Sequence, residues 1–382
     1  MGDRWQALRA EFPSAERWTY LAHAAVSPLP LRCQQGMQAY LDELVAHGGV
    51  HYPQVPLAAA RRARQLGAQL MGCPLEGVFF VTSTSQGVGV AATGISCGPG
   101  DNVVLVDREF PSNLRPWLHL RKRGVELRFV PQRDSRVLAD DLAAAVDHRT
   151  AAVSVSFVQF LSGFRLDLAP VAEICRRHDA LFVLDAIQGL GVFPVQAQAM
   201  GVDLLAADAH KWLLGPEGVG LGYASPRAME RLEPVVQGWL SVRRPFDVFA
   251  LDQPLMPDAR RFQPGSPNQA GIHGMAGSLE LLAEIGPEVM AQRLILLTDH
   301  LAEGLQQAGW SVLSPRVHDG EKSGIILCTH PAVDFATLSA WLEEHGVVSS
   351  VRGGALRLSP HGYTTIDELD RVVALLSHRT VF

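Results

Sequence analysis

The sequence predicts an α/β protein, with a large domain on a mainly parallel sheet and a smaller C-terminal α+β domain. Three observations carry that expectation. From about residue 76 to 225, short apolar runs alternate with amphipathic stretches. The runs are continuous in Val, Leu and Phe, as strands buried on both faces are. Beyond residue 265 a long helical pattern gives way to short strands mixed with a helix, which marks a second unit.

In chain order, the expected strands are Gly77–Val81, Asn102–Val106, Ala151–Phe157, Leu181–Asp185, Val202–Ala207 and, after a Gly-Pro turn, Gly218–Ala224. Leu138–Val146 and Ala169–His178 read as helices between them, with Asp179 in the following turn. Residues 226–265 are less regular. The helical pattern starting at Gly271 covers Gly274–Ile285 and Glu288–Ala308. Short strands at Trp310–Leu313, Gly324–Thr329 and Leu356–Leu358 follow, with a helix at Asp334–His345. The expected division is an N-terminal segment (1–25) packing back on the small domain, a large domain (26–265) and a small domain (266–382).

Bulk properties narrow the function classes. Of 382 residues, 47% are apolar and 19% charged, the profile of a globular enzyme. A net charge of −6, with no basic run interleaved with aromatics, argues against nucleic acid or an anionic membrane as partner. No apolar stretch is long enough to span a bilayer, and the N-terminus lacks the pattern of a signal peptide. Five cysteines (Cys33, Cys73, Cys97, Cys175 and Cys328) lie scattered without metal-ligand spacing. They read as reduced thiols in a cytoplasmic protein, with no metal expected.

The most informative stretch is Asp203-Leu-Leu-Ala-Ala-Asp-Ala-His-Lys-Trp-Leu-Leu-Gly-Pro-Glu-Gly-Val-Gly, an apolar run ending in Ala-His-Lys. Carboxyl ends of parallel strands face the ligand crevice, so Lys211 is expected beside a bound molecule. Partial desolvation would make it a nucleophile toward an aldehyde. A lone lysine in a turn is ordinarily a surface residue; the neighbouring motifs overturn that reading. Leu181-Phe-Val-Leu-Asp-Ala-Ile-Gln ends a buried strand in Asp185, a carboxylate able to pair with a protonated ring nitrogen, or to serve as a plain helix N-cap. Gln188 is placed to hydrogen-bond the ring's phenolic oxygen. Phe79-Phe-Val-Thr-Ser-Thr-Ser-Gln-Gly runs from a strand into a hydroxyl cluster opening a helix. Ser83, Thr84 and Ser85 there would cradle a phosphate with hydroxyl and backbone donors.

The hydroxyl cup, Asp-x-x-Gln and His-Lys in this order resemble the class V aminotransferase family of fold-type I pyridoxal-phosphate (PLP) enzymes, which includes cysteine desulfurases, selenocysteine lyases, kynureninases and isopenicillin N epimerase. The resemblance covers nearly the whole chain and implies the fold-type I architecture, a large domain with a mainly parallel seven-stranded sheet plus a smaller C-terminal α+β domain. Tyr20-Leu-Ala-His-Ala-Ala-Val-Ser-Pro-Leu-Pro is similar to the family's substrate-side segment, which implicates His23, with Ala22 where an asparagine is usual. Glu109-Phe-Pro-Ser-Asn-Leu-Arg-Pro-Trp resembles the loop whose aromatic stacks on the cofactor, here Phe110 in place of a desulfurase histidine. Arg261-Phe-Gln-Pro-Gly-Ser-Pro-Asn resembles a loop reaching a partner subunit's phosphate, which implies a homodimer with Ser266 shared across it. Arg352-Gly-Gly-Ala-Leu-Arg-Leu-Ser-Pro-His-Gly-Tyr resembles the segment bearing the substrate-carboxylate arginine, here Arg357, with Arg352 nearby.

The resemblance further implies that Lys211 holds PLP as a Schiff base, that Asp185 keeps its ring protonated, and that His210 and Gln159 contact the cofactor. Asp208 replaces a phosphate-binding serine and is expected to turn away. The substrate is expected to be a small amino acid whose amine displaces Lys211, leaving that amine as base at Cα. Desulfurases need a cysteine shortly before the arginine segment, yet Gly346-Val-Val-Ser-Ser-Val-Arg-Gly-Gly-Ala has none, and Cys328 reads as core. Aminotransferase or epimerase-like proton transfer at Cα is therefore the first expectation. The alternative is cysteine or selenocysteine lyase or desulfurase-type β-elimination. A dinucleotide-binding dehydrogenase is disfavoured, since Gly87-Val-Gly is a poor fragment of its glycine motif.

Overall fold

The computed structural model describes residues 2–378. Its centre is a seven-stranded sheet of β1 (Val78–Val81), β2 (Asn102–Val106), β3 (Glu126–Val130), β4 (Thr150–Ser156), β5 (Leu181–Asp185), β6 (Leu204–Asp208) and β7 (Gly220–Ala224). The order across the sheet is β1-β7-β6-β5-β4-β2-β3. β7 pairs antiparallel with both neighbours, and every other pairing is parallel. Strand residues feed cores on both faces: Val104, Val153, Phe182 and Leu205 on one, Val103, Leu105, Val183 and Leu204 on the other. That double burial is what the unbroken apolar runs foretold. β3 went unrecognised because it is the edge strand, where Glu126 and Arg128 interrupt the apolar pattern.

Two long helices that the sequence reading passed over, α1 (Leu31–His47) and α2 (Gln54–Met71), precede the sheet. In α1 only Cys33 is fully buried, so its apolar signal is weak. Next come α3 (Thr84–Gly94), at the end of β1, and α4 (Leu168–Arg177). α3 lies tight against β6: a Cβ on Gly87 would meet the Ala206 Cβ at 2.4 Å. Asp179 follows α4 with φ +53°, as a turn residue.

α5 (Gln269–Ile285) packs on α1 and α2, and its Ile272, Met275 and Leu279 join the core of the large sheet. The boundary expected at residue 265 thus precedes a helix that belongs, by packing, to the preceding layer. After α6 (Pro287–Gln307), a second sheet forms from β8 (Ser311–Val312), β9 (Ile326–Thr329), β10 (Ser350–Arg352) and β11 (Ala355–Leu358), in the order β10-β11-β9-β8. α7 (Phe335–Glu344) and α8 (Ile366–His378) complete this unit. The N-terminal segment returns to it: Thr19–Tyr20 pairs in parallel with Val347–Val348, and Ala22 bridges Ser359. Among the described residues no helix is long and apolar enough to cross a membrane.

Candidate active site

Strand ends and one helix start converge on a cavity of about 140 Å³, lined among others by Ala24, Ser83, Thr84, Phe110, Asp208, Lys211, Arg352 and Arg357. The parallel β5 and β6 deliver Asp185 as the last residue of one strand and Lys211 in the turn after the other. Lys211 is 6% exposed, with Nζ 5.3 Å from the centroid of the Phe110 ring. No carboxylate among the described residues pairs with it directly. Burial holds its amine below the ordinary lysine range, opposed by Asp185 and reinforced by the Arg357 charge.

Asp185 is buried and does not itself line the cavity, which Ile187 and Gln188 of the following turn do; its Oδ1 accepts from the Ile187 N–H at 3.0 Å. Burial, with the nearby Glu109 carboxylate adding to it, raises its pKa. A buried acid without an ion pair is a ready partner for a protonated heterocyclic nitrogen. At the other end, Ser83 caps α3 by accepting from the Gln86 N–H at 3.2 Å, while Thr84 Oγ1 accepts from the Asp208 N–H at 3.1 Å. The leading N–H groups of α3 point out of the helix, an anion seat. Ser85 is exposed and donates to Ser112 Oγ at 2.9 Å, outside the cavity lining.

Arg357 is 2% exposed; its Nε donates to Ser350 Oγ at 3.2 Å and a terminal nitrogen to the Phe160 carbonyl at 2.6 Å. No described carboxylate pairs with it, and burial pushes its pKa down to about 10. A buried guanidinium without a counterion is a carboxylate seat.

Several expectations need correction. His23 does not reach the cavity. Its backbone neighbours Ala24 and Ala25 do, while its ring is fully buried, against the Ser359 carbonyl at 3.1 Å and the Tyr363 hydroxyl at 2.9 Å. Burial lowers its pKa to about 4. Gln159 also lies behind the wall, donating to Glu109 Oε1 at 2.9 Å, and the next residue, Phe160, lines the cavity. Gln188 lines it, but its amide donates to the Ala24 carbonyl at 3.0 Å and its oxygen accepts from Trp212 Nε1 at 2.8 Å. That oxygen and one N–H are engaged in structure rather than awaiting a ring oxygen. Asp208 lines the cavity instead of turning away; Oδ1 accepts from the Ala209 N–H at 2.8 Å and Oδ2 lies 3.1 Å from His210 Nδ1, too poorly aligned for a hydrogen bond. Ser266, expected to serve a partner subunit's phosphate rather than its own, lies outside this cavity, in an apolar cleft of about 430 Å³ with Gln86, Val90, Val235 and Val236.

Glu109 was missed. It is buried, with its charge acting on Asp185, and accepts from the Ser156 hydroxyl at 2.5 Å and the Ser156 N–H at 2.9 Å. Its position beside Phe110 was visible in the sequence, but nothing there showed that it faces inward.

The model of the class V aminotransferases matches residues 19–371. The chain belongs to the class V aminotransferase family. A probable cysteine desulfurase of Methanothermobacter thermautotrophicus is 27% identical over 96% of each chain. An uncharacterized aminotransferase, YcbU, of Bacillus subtilis is 25% identical over 98% of each. Among solved structures, a C-DES mutant with glycine covalently linked to its PLP cofactor superposes with a TM-score of 0.88, at 22% identity and 97% and 98% coverage. That likeness establishes the shared fold.

Proposed function

We propose that this member of the class V aminotransferase family binds PLP through Lys211 and acts on a small amino acid by moving the proton at Cα, as an aminotransferase or an epimerase-like enzyme does. The observation that carries the reading is one cavity holding a buried Lys211 amine of lowered basicity, an α3 N-terminus and an Arg357 without a described carboxylate partner, with the buried Asp185 close enough to act on the Lys211 charge. These parts fit PLP: the α3 N-terminus with Ser83 and Thr84 for its phosphate, Phe110 for a ring face, Asp185 for the ring nitrogen and Lys211 for the aldehyde. When bound, PLP supplies an electron sink for a bond broken at Cα.

The residues of the chain do the remainder. Arg357 grips the substrate's α-carboxylate and so fixes which Cα bond is presented. Lys211, a weaker base than a solvated lysine, is neutral more often at physiological pH and takes or returns the Cα proton. Asp185 favours a cationic ring nitrogen by gaining in its cavity the counter-charge it lacks. Ser266, outside its own chain's cavity, is assigned to the partner's phosphate in a homodimer.

The second reading is β-elimination at a sulfur-bearing side chain, favoured by the desulfurase name of the 27% identical relative. A protein-bound persulfide is not supported, because no cysteine lines the cavity. Cys33, Cys97, Cys175 and Cys328 are buried, and burial raises every thiol, to about 11 for Cys33 and about 12 for Cys73 and Cys175.

The test is incubation of the PLP-loaded protein with an amino-acid panel in deuterated water. Cα exchange is followed together with keto acid, optical rotation and sulfide. Exchange with racemisation, or with a keto acid that keeps the substrate's side chain, supports the first reading. Sulfide from cysteine together with pyruvate, the keto acid left once the sulfur is lost, supports the second.

A further inference from the structure

β10 and β11 form a hairpin that contributes Arg352 and Arg357 to the cavity lining, joined by Gly353 and Gly354 at φ +58° and +74°. Positive φ at both central positions makes a tight two-residue turn and locks the register. In that register Arg352 stands opposite Ala355, and Ser350 opposite Arg357. Arg352 and Ser350 are two apart on β10 and share a face, so Arg352 and Arg357 are same-face diagonal neighbours. Such positions lie roughly 7–8 Å apart. Both side chains line the cavity, and neither pairs with a carboxylate among the described residues. Among the described residues, the only hydrogen bond of the exposed Arg352 side chain runs to the adjacent Val351 carbonyl at 2.8 Å.

Two guanidiniums on one face repel each other, and Arg352 pushes both Arg357 and Lys211 downward in pKa. An arrangement of this kind is relieved by an anion at each cation. Arg357 is already the carboxylate seat nearest the buried end of the cavity. Arg352 is left at the mouth, facing whatever the substrate carries beyond Cα.

Resting on the proposed amino-acid chemistry, we infer that the substrate bears a second anionic group on its side chain, which Arg352 receives while Arg357 holds the α-carboxylate. A side chain of one or two carbons ending in a carboxylate or sulfinate fits the spacing. The planar, bidentate fork of arginine suits both.

The test uses acids without an amine, so that binding is measured apart from turnover. Calorimetry on the PLP-loaded protein compares succinate with butyrate, which match in chain length and differ by one carboxylate. Succinate is expected to bind at least about tenfold more tightly, and Arg352→Gln to bring the two within twofold, with Arg352→Lys intermediate. Equal binding of the two acids to the unmodified protein overturns the proposal. So does an Arg352→Gln variant that weakens both equally, which would make Arg352 a second clamp on the α-carboxylate. Succinate against 3-sulfinopropionate in the same assay separates carboxylate from sulfinate preference, again without an amine. Because neither succinate nor butyrate can react, absence of turnover leaves this result readable and counts only against the proposed function.

Discussion

Trp212 Nε1 donates to Gln188 Oε1 at 2.8 Å, tying the residue after Lys211 to the turn that follows Asp185. Gln188 continues the chain of bonds to the Ala24 carbonyl, and the Ser27 N–H donates to the His210 carbonyl at 2.8 Å. The N-terminal segment and both strand ends are therefore held in one buried network. Trp212→Phe keeps most of the packing but leaves the Gln188 oxygen without its donor. It is expected to cost about 1–3 kcal/mol of stability, measured by denaturant unfolding. Covalent cofactor uptake is expected to slow as the Lys211 turn loosens.

Asp185 carries the largest conflict between stability and function. Its carboxyl is raised by burial, so the folded apo-protein disfavours the charged form. The penalty is absent below the unfolded pKa of a carboxylate and grows as pH rises toward the folded value. Asp185→Asn should make the apo-protein more stable at pH 7 by about 1 kcal/mol or more, the gain shrinking toward pH 4. The same variant should bind PLP more weakly. Thermal unfolding of both forms from pH 4 to 8 checks this; an apo-variant destabilised at pH 7 would count against it.

Lys211 behaves in the mirror sense. Burial lowers its pKa, so the folded apo-protein pays for holding the ammonium at neutral pH. Lys211→Met is expected to be more stable than the parent at pH 7, with the gap narrowing as pH climbs through the folded pKa toward the free lysine value. Covalent uptake of PLP should accelerate over the same rise, with a midpoint below that of an exposed lysine. A midpoint at the ordinary lysine value would show a solvated amine.

Much of this site was legible because chemistry at strand ends leaves marks in order. Leu181–Asp185 and the run before Lys211 read as doubly buried strands, and both residues emerge at the carboxyl ends as expected. Side-chain direction within a loop was not legible. The segment around His23 does reach the cavity, but through Ala24 and Ala25, and the imidazole points into a cluster with Trp212, His361 and Tyr363. Gln159 and Phe160 differ by one position, and one position exchanges the inner face for the outer. Asp208 was expected to avoid the cavity on charge alone; the Ala209 N–H and the nearby His210 give its oxygens a setting that charge counting omits.

The cysteines offer an independent check on the chemistry. Four of the five are buried and Cys73 is only partly exposed, with every thiol raised by burial. Iodoacetamide under native conditions is expected to modify at most Cys73, read by intact mass, whereas the denatured protein takes five labels. Cys328→Ala should keep turnover within about twofold of the parent while costing about 1–2 kcal/mol of stability from the lost core volume. Loss of turnover without loss of folding would assign Cys328 a chemical role.

The central claim is that Lys211 is the covalent anchor of PLP. Loading the protein with PLP, reducing with borohydride and mapping peptides by mass spectrometry tests it most directly. The expected result is a yellow protein that bleaches on reduction, with a single phosphopyridoxyl group on the peptide containing Lys211 and none in Lys211→Ala. A protein that stays colourless, or a label on another lysine with Lys211 unmodified, would contradict the account.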